Sequence, residues 1–146
     1  MAFQGVTKFY DPDQVAITFA GILIGGYADD EFITIEQMSP TFASVVGTDG
    51  AVSRSKSNDR RLKVVIKLMQ TSSTNLALSA IHNLDRDSPN GAGVAPFQMV
   101  DMQGNTLISG SQAWITKMPE DSMARTAKSR EWEIEVSNGL WVEGGN

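Results

Sequence analysis

The stretch Arg61-Leu62-Lys63-Val64-Val65-Ile66-Lys67-Leu68 decides the fold class of this chain. Its apolar residues recur at every second position and alternate with mostly cationic ones. A period of two is typical of a β-strand with one buried face and one polar face. The stretch therefore predicts an amphipathic strand and a mainly β protein.

Further strands are predicted on both sides of this stretch. They cover residues 15–19, 22–24, 32–38, 41–46, 96–102, 106–109, 112–117 and 129–136. In the last of them, Trp132, Ile134 and Val136 are expected to point inward, whereas Arg130 and the neighbouring glutamates form polar faces. Residues 101–105 predict a hairpin turn, because Gly and Asn are common turn formers.

One helix is predicted after residue 72. Ser72 or Ser73 is a suitable N-cap. The apolar residues that follow at helical spacing form one predicted stripe, Leu76, Ala77, Ala80, Ile81 and Leu84. Residues 88–91 (Ser-Pro-Asn-Gly) end the helix. Together these elements predict a single domain over residues 1–146, a β-sandwich or barrel of about seven to eight strands with one packed α-helix.

Residues 47–60 (GTDGAVSRSKSNDR) are expected to form a long loop between strands, since they contain almost nothing to bury. Structureless loops of this length are uncommon in small domains and are usually functional or disordered. Their composition suits a mobile arm that becomes ordered against a partner. A solvated hairpin tip is the alternative.

Composition restricts the function. The 146 residues include no cysteine, which excludes disulfides and thiolate chemistry, and the net charge of −5 disfavours tight binding to nucleic acid or anionic membranes. No apolar run reaches the length of a membrane span, and residues 1–5 lack the features of a secretory signal. We therefore expect the protein to be made and folded in the cytoplasm.

No catalytic set emerges from the sequence. His82 is the only histidine and lies beside the apolar stripe of the helix, so a structural role is favoured over a general base. Trp114 and Trp132 fall in strand patterns and are expected to anchor the core, and with Trp141 they form no convincing sugar site.

Metal and phosphate sites are equally unsupported. Residues 85–91 begin like a calcium loop, but Pro89 takes the third ligand position and no glutamate follows at the required spacing. The acidic run Asp29-Asp30-Glu31 is expected to be solvated, and residues 91–96 lack the strand-before, helix-after context of a phosphate loop. We predict no catalytic residue, no cofactor and no metal.

The order of elements and several phrases resemble tail tube proteins of contractile-tailed bacteriophages, which are related to tube proteins of tailocins and type VI secretion systems. The phrases are Phe-Ile-Thr-Ile-Glu at residues 32–36, the polar loop at 47–60 with Arg-Leu-Lys-Val-Val-Ile after it, and Ser-Arg-Glu-Trp-Glu-Ile at 129–134. The resemblance implies a non-enzymatic virion protein whose hexameric rings stack into the inner tail tube, through which DNA is ejected.

The same resemblance implies partners and an interface. The partners would be further copies of the chain and the tail sheath, baseplate and tail terminator proteins, with DNA only as transiting cargo, and assembly would occur in the host cytoplasm. The loop would reach a neighbouring subunit or ring and become ordered there. The implied interface residues are Gly47, Asp49, Arg54, Lys56, Asp59 and Arg60. The alternative function is a β-sandwich binding or decoration module of a virion or baseplate.

Overall fold

The computed structural model of the chain describes residues 11–28, 31–102 and 105–144. Strands β1 to β10 span, in order, Val15–Phe19, Ile22–Leu23, Ile33–Gln37, Phe42–Val46, Val52–Lys56, Leu62–Met69, Ala95–Asp101, Thr106–Lys117, Ser129–Val136 and Leu140–Val142. Helix α1 spans Thr74–Asp87, and a short 3-10 helix, Pro12–Gln14, precedes β1. The expectation of a mainly β protein with one helix is confirmed.

Eight of these strands form one sheet, in the order β2-β1-β7-β8-β9-β6-β3, with β10 paired to β8. All of its pairings are antiparallel. The remaining strands, β4 and β5, pair only with each other and form a second sheet of two strands. The two sheets differ in strand number and in burial.

The core lies on one face of the large sheet. In β6 the alternate residues Leu62, Val64, Ile66 and Leu68 are buried, as the alternation predicts. Across the β6–β9 ladder they are paired with Val136, Ile134, Trp132 and Arg130, and the first three of these are buried apolar residues as expected. Complete burial of one such apolar side chain contributes about 1.5–3 kcal/mol.

Arg130 corrects one prediction. It shares the face of Trp132 and is buried, although the sequence placed it on a polar face. Its guanidinium Nη2 lies 2.8 Å from Asp121 Oδ1 and donates to the carbonyl of Ser122, and Nη1 donates to the carbonyl of Ser129. A buried charge requires such partners, so Arg130 ties the β8–β9 connection to the sheet.

Helix α1 packs on the core through a face that differs from the predicted stripe. Leu78 is fully buried and Ile81 packs against the core cluster. Leu76, Ala80 and Leu84 are exposed, so the stripe prediction is wrong for them. Ser73 is the N-cap but its side chain makes no capping bond; Ser72 Oγ accepts the Thr74 N–H instead. The helix ends before Ser88, as predicted.

Three smaller predictions can also be compared with the structure. Residues 106–109 and 112–117 belong to one continuous strand, β8, and β10 has no counterpart among the predicted strands. The predicted turn at residues 101–105 lies partly outside the described residues, but Asp101 and Thr106 pair across it. Asp29 and Asp30 lie outside the described residues as well.

Candidate subunit interface

The segment predicted as a loop is a β-hairpin. Strands β4 and β5 pair in register from Phe42 opposite Lys56 to Val46 opposite Val52. The prediction of a structureless loop is therefore wrong for Val52–Lys56, and the hairpin alternative holds for the segment's secondary structure. Every residue of both strands is exposed. This element therefore lacks the burial that stabilises the large sheet. An isolated two-stranded hairpin of this kind is at best marginally stable in water.

Residues 47–51 form the tip of the hairpin. The Gly47 N–H donates to the Ala51 carbonyl at 2.7 Å, and the Gly50 N–H donates to the Gly47 carbonyl at 3.0 Å. Asp49 Oδ1 accepts the Ala51 N–H at 3.1 Å. Gly50 has a φ of 86°, a conformation that favours glycine. Two predicted interface residues, Gly47 and Asp49, thus shape the turn.

The two faces of the hairpin carry different side chains. Alternation along paired strands sets the faces. The face named here the basic face comprises Phe42, Ser44, Val46, Val52, Arg54 and Lys56. The opposite face, named here the neutral face, comprises Ala43, Val45, Ser53 and Ser55. Arg54 Cζ lies 4.4 Å from the centre of the Phe42 ring, a cation–π contact that orders both side chains on the basic face.

Asp59 fixes the base of the hairpin. Its carboxylate accepts bonds from Arg61 Nε and Nη2, both at 2.9 Å, and from Ser39 Oγ at 2.7 Å. It also accepts the Arg61 N–H at 3.1 Å. These bonds, led by the Arg61 side chain, hold the pKa of Asp59 well below its usual range. The network joins the end of β3 to the start of β6, where the hairpin leaves the large sheet.

The six predicted interface residues therefore occupy three places. Gly47 and Asp49 are at the tip, Arg54 and Lys56 are on the basic face, and Asp59 and Arg60 are at the base. Asp59 is already bonded within its own chain, whereas Arg54 and Lys56 are exposed. Their contact with another subunit stays a prediction.

Sequence reasoning missed three residues that define this element. Phe42 was placed in a strand but not in a hairpin, and Ser39 and Arg61 were not linked to Asp59. A signal was present, because Asp49-Gly50 stands between Val45-Val46 and Ala51-Val52. An Asp-Gly turn between apolar residues is a strong hairpin signal.

The residues weighed for catalysis take structural positions. Trp132 is buried and its Nε1 donates to Asn75 Oδ1 at 2.9 Å, which confirms it as a core anchor. Trp114 is half-buried and lies between buried Ala113 and Ile115, so it faces away from the core and that part of the prediction is wrong. Trp141 Nε1 donates to Glu143.

His82 and Asp85 were also weighed as functional residues, and both lie on helix α1. His82 is half-buried, and its Nδ1 has no hydrogen-bond partner among the described residues. Asp85 Oδ1 accepts the Gly93 N–H at 3.3 Å, so it holds the turn after the helix. Within the described ranges, no group of three His, Asp or Glu side chains is placed to hold a metal ion. In the same ranges no helix has the length and apolar character of a membrane span.

A comparison with protein families identifies the class of protein. The family model of the bacteriophage PhiTE tail tube protein matches residues 18–139, which include the helix, the hairpin and the large sheet except for β10 and the first three residues of β1. This chain belongs to that family. The resemblance to phage tail tube proteins inferred from the sequence is therefore confirmed.

A relative with a known sequence and a protein of known structure are also similar to this chain. Structural protein ORF10 of Pseudomonas phage KPP10 is 28% identical over 148 residues, covering 97% of this chain and 86% of the relative. The cryo-electron microscopy structure of the anti-feeding prophage tube-terminating cap superposes with a TM-score of 0.60 over 99% of this chain and all of the other. Sequence identity to that cap is 8%, so the likeness concerns the fold. The protein is a structural component of a phage virion.

Proposed function

We propose that this tail tube family member builds the inner tube of a contractile phage tail. Six copies form a ring, rings stack through the exposed hairpins, and DNA passes through the lumen during ejection. The observation that carries the proposal is the β4–β5 hairpin, a complete element of secondary structure whose strands expose every residue. Membership in a tail tube family supports self-association.

Energetic reasoning connects the hairpin to assembly. Ordering each residue costs about 1–2 kcal/mol, and a two-stranded element with no buried side chain recovers little of this cost within the subunit. Burial against a second subunit supplies the missing term, because apolar area removed from water stabilises an interface as it does a core. Rings that present these hairpins to the next ring would cover all of them.

The free edges of the large sheet support ring closure. Strands β2 and β3 stand at the two ends of the strand order, and among the described strands β3 is paired only with β6. Because the Phe32 carbonyl accepts the Lys67 N–H, the alternation leaves the backbone groups of Ile33, Ile35 and Gln37 directed to the open edge. Joining edges between subunits around a closed ring would satisfy such groups without open-ended aggregation.

Charge bears on the passage of DNA. Each chain carries a net charge of −5, which a ring multiplies by its number of copies. Phosphate contacts by Lys and Arg would slow transit, whereas a net acidic tube repels the duplex. We expect no stable complex with duplex DNA in a mobility-shift assay at low salt; a tight, salt-sensitive complex would contradict the role as a conduit.

The proposal includes the surroundings of the tube. Sheath, baseplate and tail terminator proteins would be the other partners, assembly would take place in the host cytoplasm, and the protein would act without a cofactor and without catalysis. Such a role requires only surfaces that recognise other proteins.

Electron microscopy of the purified protein tests the proposal. Negative-stain images over a range of protein concentration should show rings with six-fold averages and tubes at the highest concentrations. Sedimentation should show the same polymers. A species that stays monomeric or trimeric at all concentrations and salt conditions, including after addition of preformed tubes or baseplates, would favour a binding or decoration module instead.

A further inference from the structure

We propose that the basic face of the hairpin, and not its neutral face, is the surface that a second copy of this chain covers. This inference rests on the proposed function, since it assigns the contact within an assembly of identical subunits. The assignment depends on the β4–β5 register, which separates two faces that differ in size, polarity and charge.

The basic face offers most of the hairpin's apolar surface. Phe42, Val46 and Val52 are 47%, 65% and 65% exposed and lie on this one face. The neutral face contains a single large apolar residue, Val45, beside an alanine and two serines. Stabilisation of an interface grows with the apolar area removed from water, so burial of the basic face is the more favourable choice.

Charge complementarity identifies the occupant. Arg54 and Lys56 are the only charged side chains in β4 and β5, and both stand on the basic face. The whole chain has 17 Asp and Glu against 12 Lys and Arg, so the surface beyond these two cations is more acidic than the total. A cationic, apolar strip on an acidic protein fits a second copy of that protein.

The Arg54–Phe42 contact strengthens the assignment. The guanidinium stacked on the ring at 4.4 Å restricts both side chains before any partner arrives. Arginine retains hydrogen-bond donors for a carboxylate while it is stacked, because its donors lie in the plane of the group. Two side chains ordered in advance lose less entropy on binding. Two cations per subunit, by contrast, are too few to hold nucleic acid tightly at physiological salt.

Neighbouring valines provide a matched pair of variants. Val45 and Val46 are consecutive in β4, 70% and 65% exposed, and on opposite faces. Val45→Ser and Val46→Ser lose the same atoms and the same strand preference. We expect Val46→Ser to raise the critical concentration for assembly by about tenfold, on the scale of one buried valine side chain. Val45→Ser should change it by less than about twofold on the same scale.

Arginine variants test the charge. Arg54→Gln should raise the critical concentration and reduce its dependence on salt, because the interaction it removes is screened by ions. Arg86→Gln, which removes an exposed cation from the end of helix α1, is the matched control and should leave both quantities nearly unchanged. Circular dichroism melts of all four variants should coincide with that of the original protein.

The outcomes separate the two levels of the argument. An effect of Val45→Ser equal to or larger than that of Val46→Ser would overturn the face assignment while tubes still form. Equal effects of Arg54→Gln and Arg86→Gln would overturn the charge argument. Failure of the original protein to assemble at any concentration would overturn the proposed function itself.

Discussion

The large sheet and the hairpin show the same alternation of side chains, but one face of the large sheet is buried whereas the hairpin is exposed. In β6 every second residue from Leu62 to Leu68 is buried against β9, the helix and the rest of the core. In β4 and β5 the alternation also sorts apolar and cationic side chains to one face, yet no residue of either strand is buried. Strand patterning therefore sorts side chains onto two faces, but it does not decide whether either face is buried within the chain.

Under the proposed function, this difference separates folding from assembly within one short chain. The large sheet and helix α1 carry the burial that stabilises the subunit. The hairpin is attached through the Asp59–Arg61–Ser39 network and contributes backbone pairing and exposed surface. Substitutions in the two regions should accordingly affect different measurements.

The largest expected effect concerns two phenylalanines. Phe97→Ala should lower the free energy of unfolding by about 3–5 kcal/mol, because Phe97 is 1% exposed in the core and its removal leaves a cavity. Phe42→Ala, on the exposed hairpin, should cost less than about 1 kcal/mol. Urea denaturation of dilute subunits measures both values, and similar costs would mean that the hairpin is buried in the free subunit.

An intermediate effect is expected at the β8–β9 connection. Asp121→Ala removes the carboxylate that pairs with buried Arg130 and should cost about 1–2 kcal/mol, since two backbone carbonyls remain as partners. Glu120→Ala, at the neighbouring exposed position, should change stability by less than about 0.5 kcal/mol. A cost for Asp121→Ala as small as that of Glu120→Ala would show that the pair does not hold this connection.

The sequence predicted the large sheet better than the hairpin or the helix face, for physical reasons. The alternate apolar residues of 62–68 are buried by other parts of the same chain, so the pattern and the structure agree. Residues 52–56 contain Val52 alone among polar and cationic residues, so their strand depends on pairing with β4 and on the Asp49-Gly50 turn. Hydrophobicity alone does not reveal such pairing.

The helix face fails for a related reason. Leu76 and Leu84 follow helical spacing but remain exposed, whereas Leu78 and Thr74 face the core. Helical periodicity identifies an apolar stripe, but the position of the sheet decides which residues it buries. The interface residues implied by the resemblance lie at the tip, on the basic face and at the base of the hairpin, and their contact with another subunit stays a prediction. Asp59 bonds within its own chain.

A smaller effect is expected at the base of the hairpin, and it depends on pH. Asp59 has a lowered pKa in the folded subunit, so its contribution to stability is complete above the usual carboxyl pKa of about 4 and is lost as the pH falls below it. Asp59→Asn should therefore be less stable than the original protein at neutral pH, with the difference closing under acid conditions. The Asp59–Arg61 pair is solvated, so the loss should be smaller than that of Asp121→Ala. Melting curves across pH measure it, and a difference that is constant with pH would contradict the role of the carboxylate.

The smallest expected change in subunit stability accompanies the largest change in assembly. The Ser57 N–H donates to the Thr41 carbonyl at 2.8 Å, so these two residues already flank the hairpin as a turn would. Replacing residues 42–56 with Asn-Gly gives a two-residue turn of the kind that connects antiparallel strands. The variant keeps Ser39, Asp59 and Arg61, and it removes no buried side chain.

Unfolding of this shortened subunit should match that of the original protein to within about 1 kcal/mol, because the core is intact and shortening a loop changes closure entropy only slightly. Stacking into tubes should be lost, since the surface offered to the next ring is gone. Urea denaturation and electron microscopy of the same preparation measure the two quantities side by side. Tubes formed as readily as by the original protein would reduce the hairpin to a passive projection. A large loss of stability would instead show that the hairpin supports the fold of its own subunit, and the separation of folding from assembly would not hold.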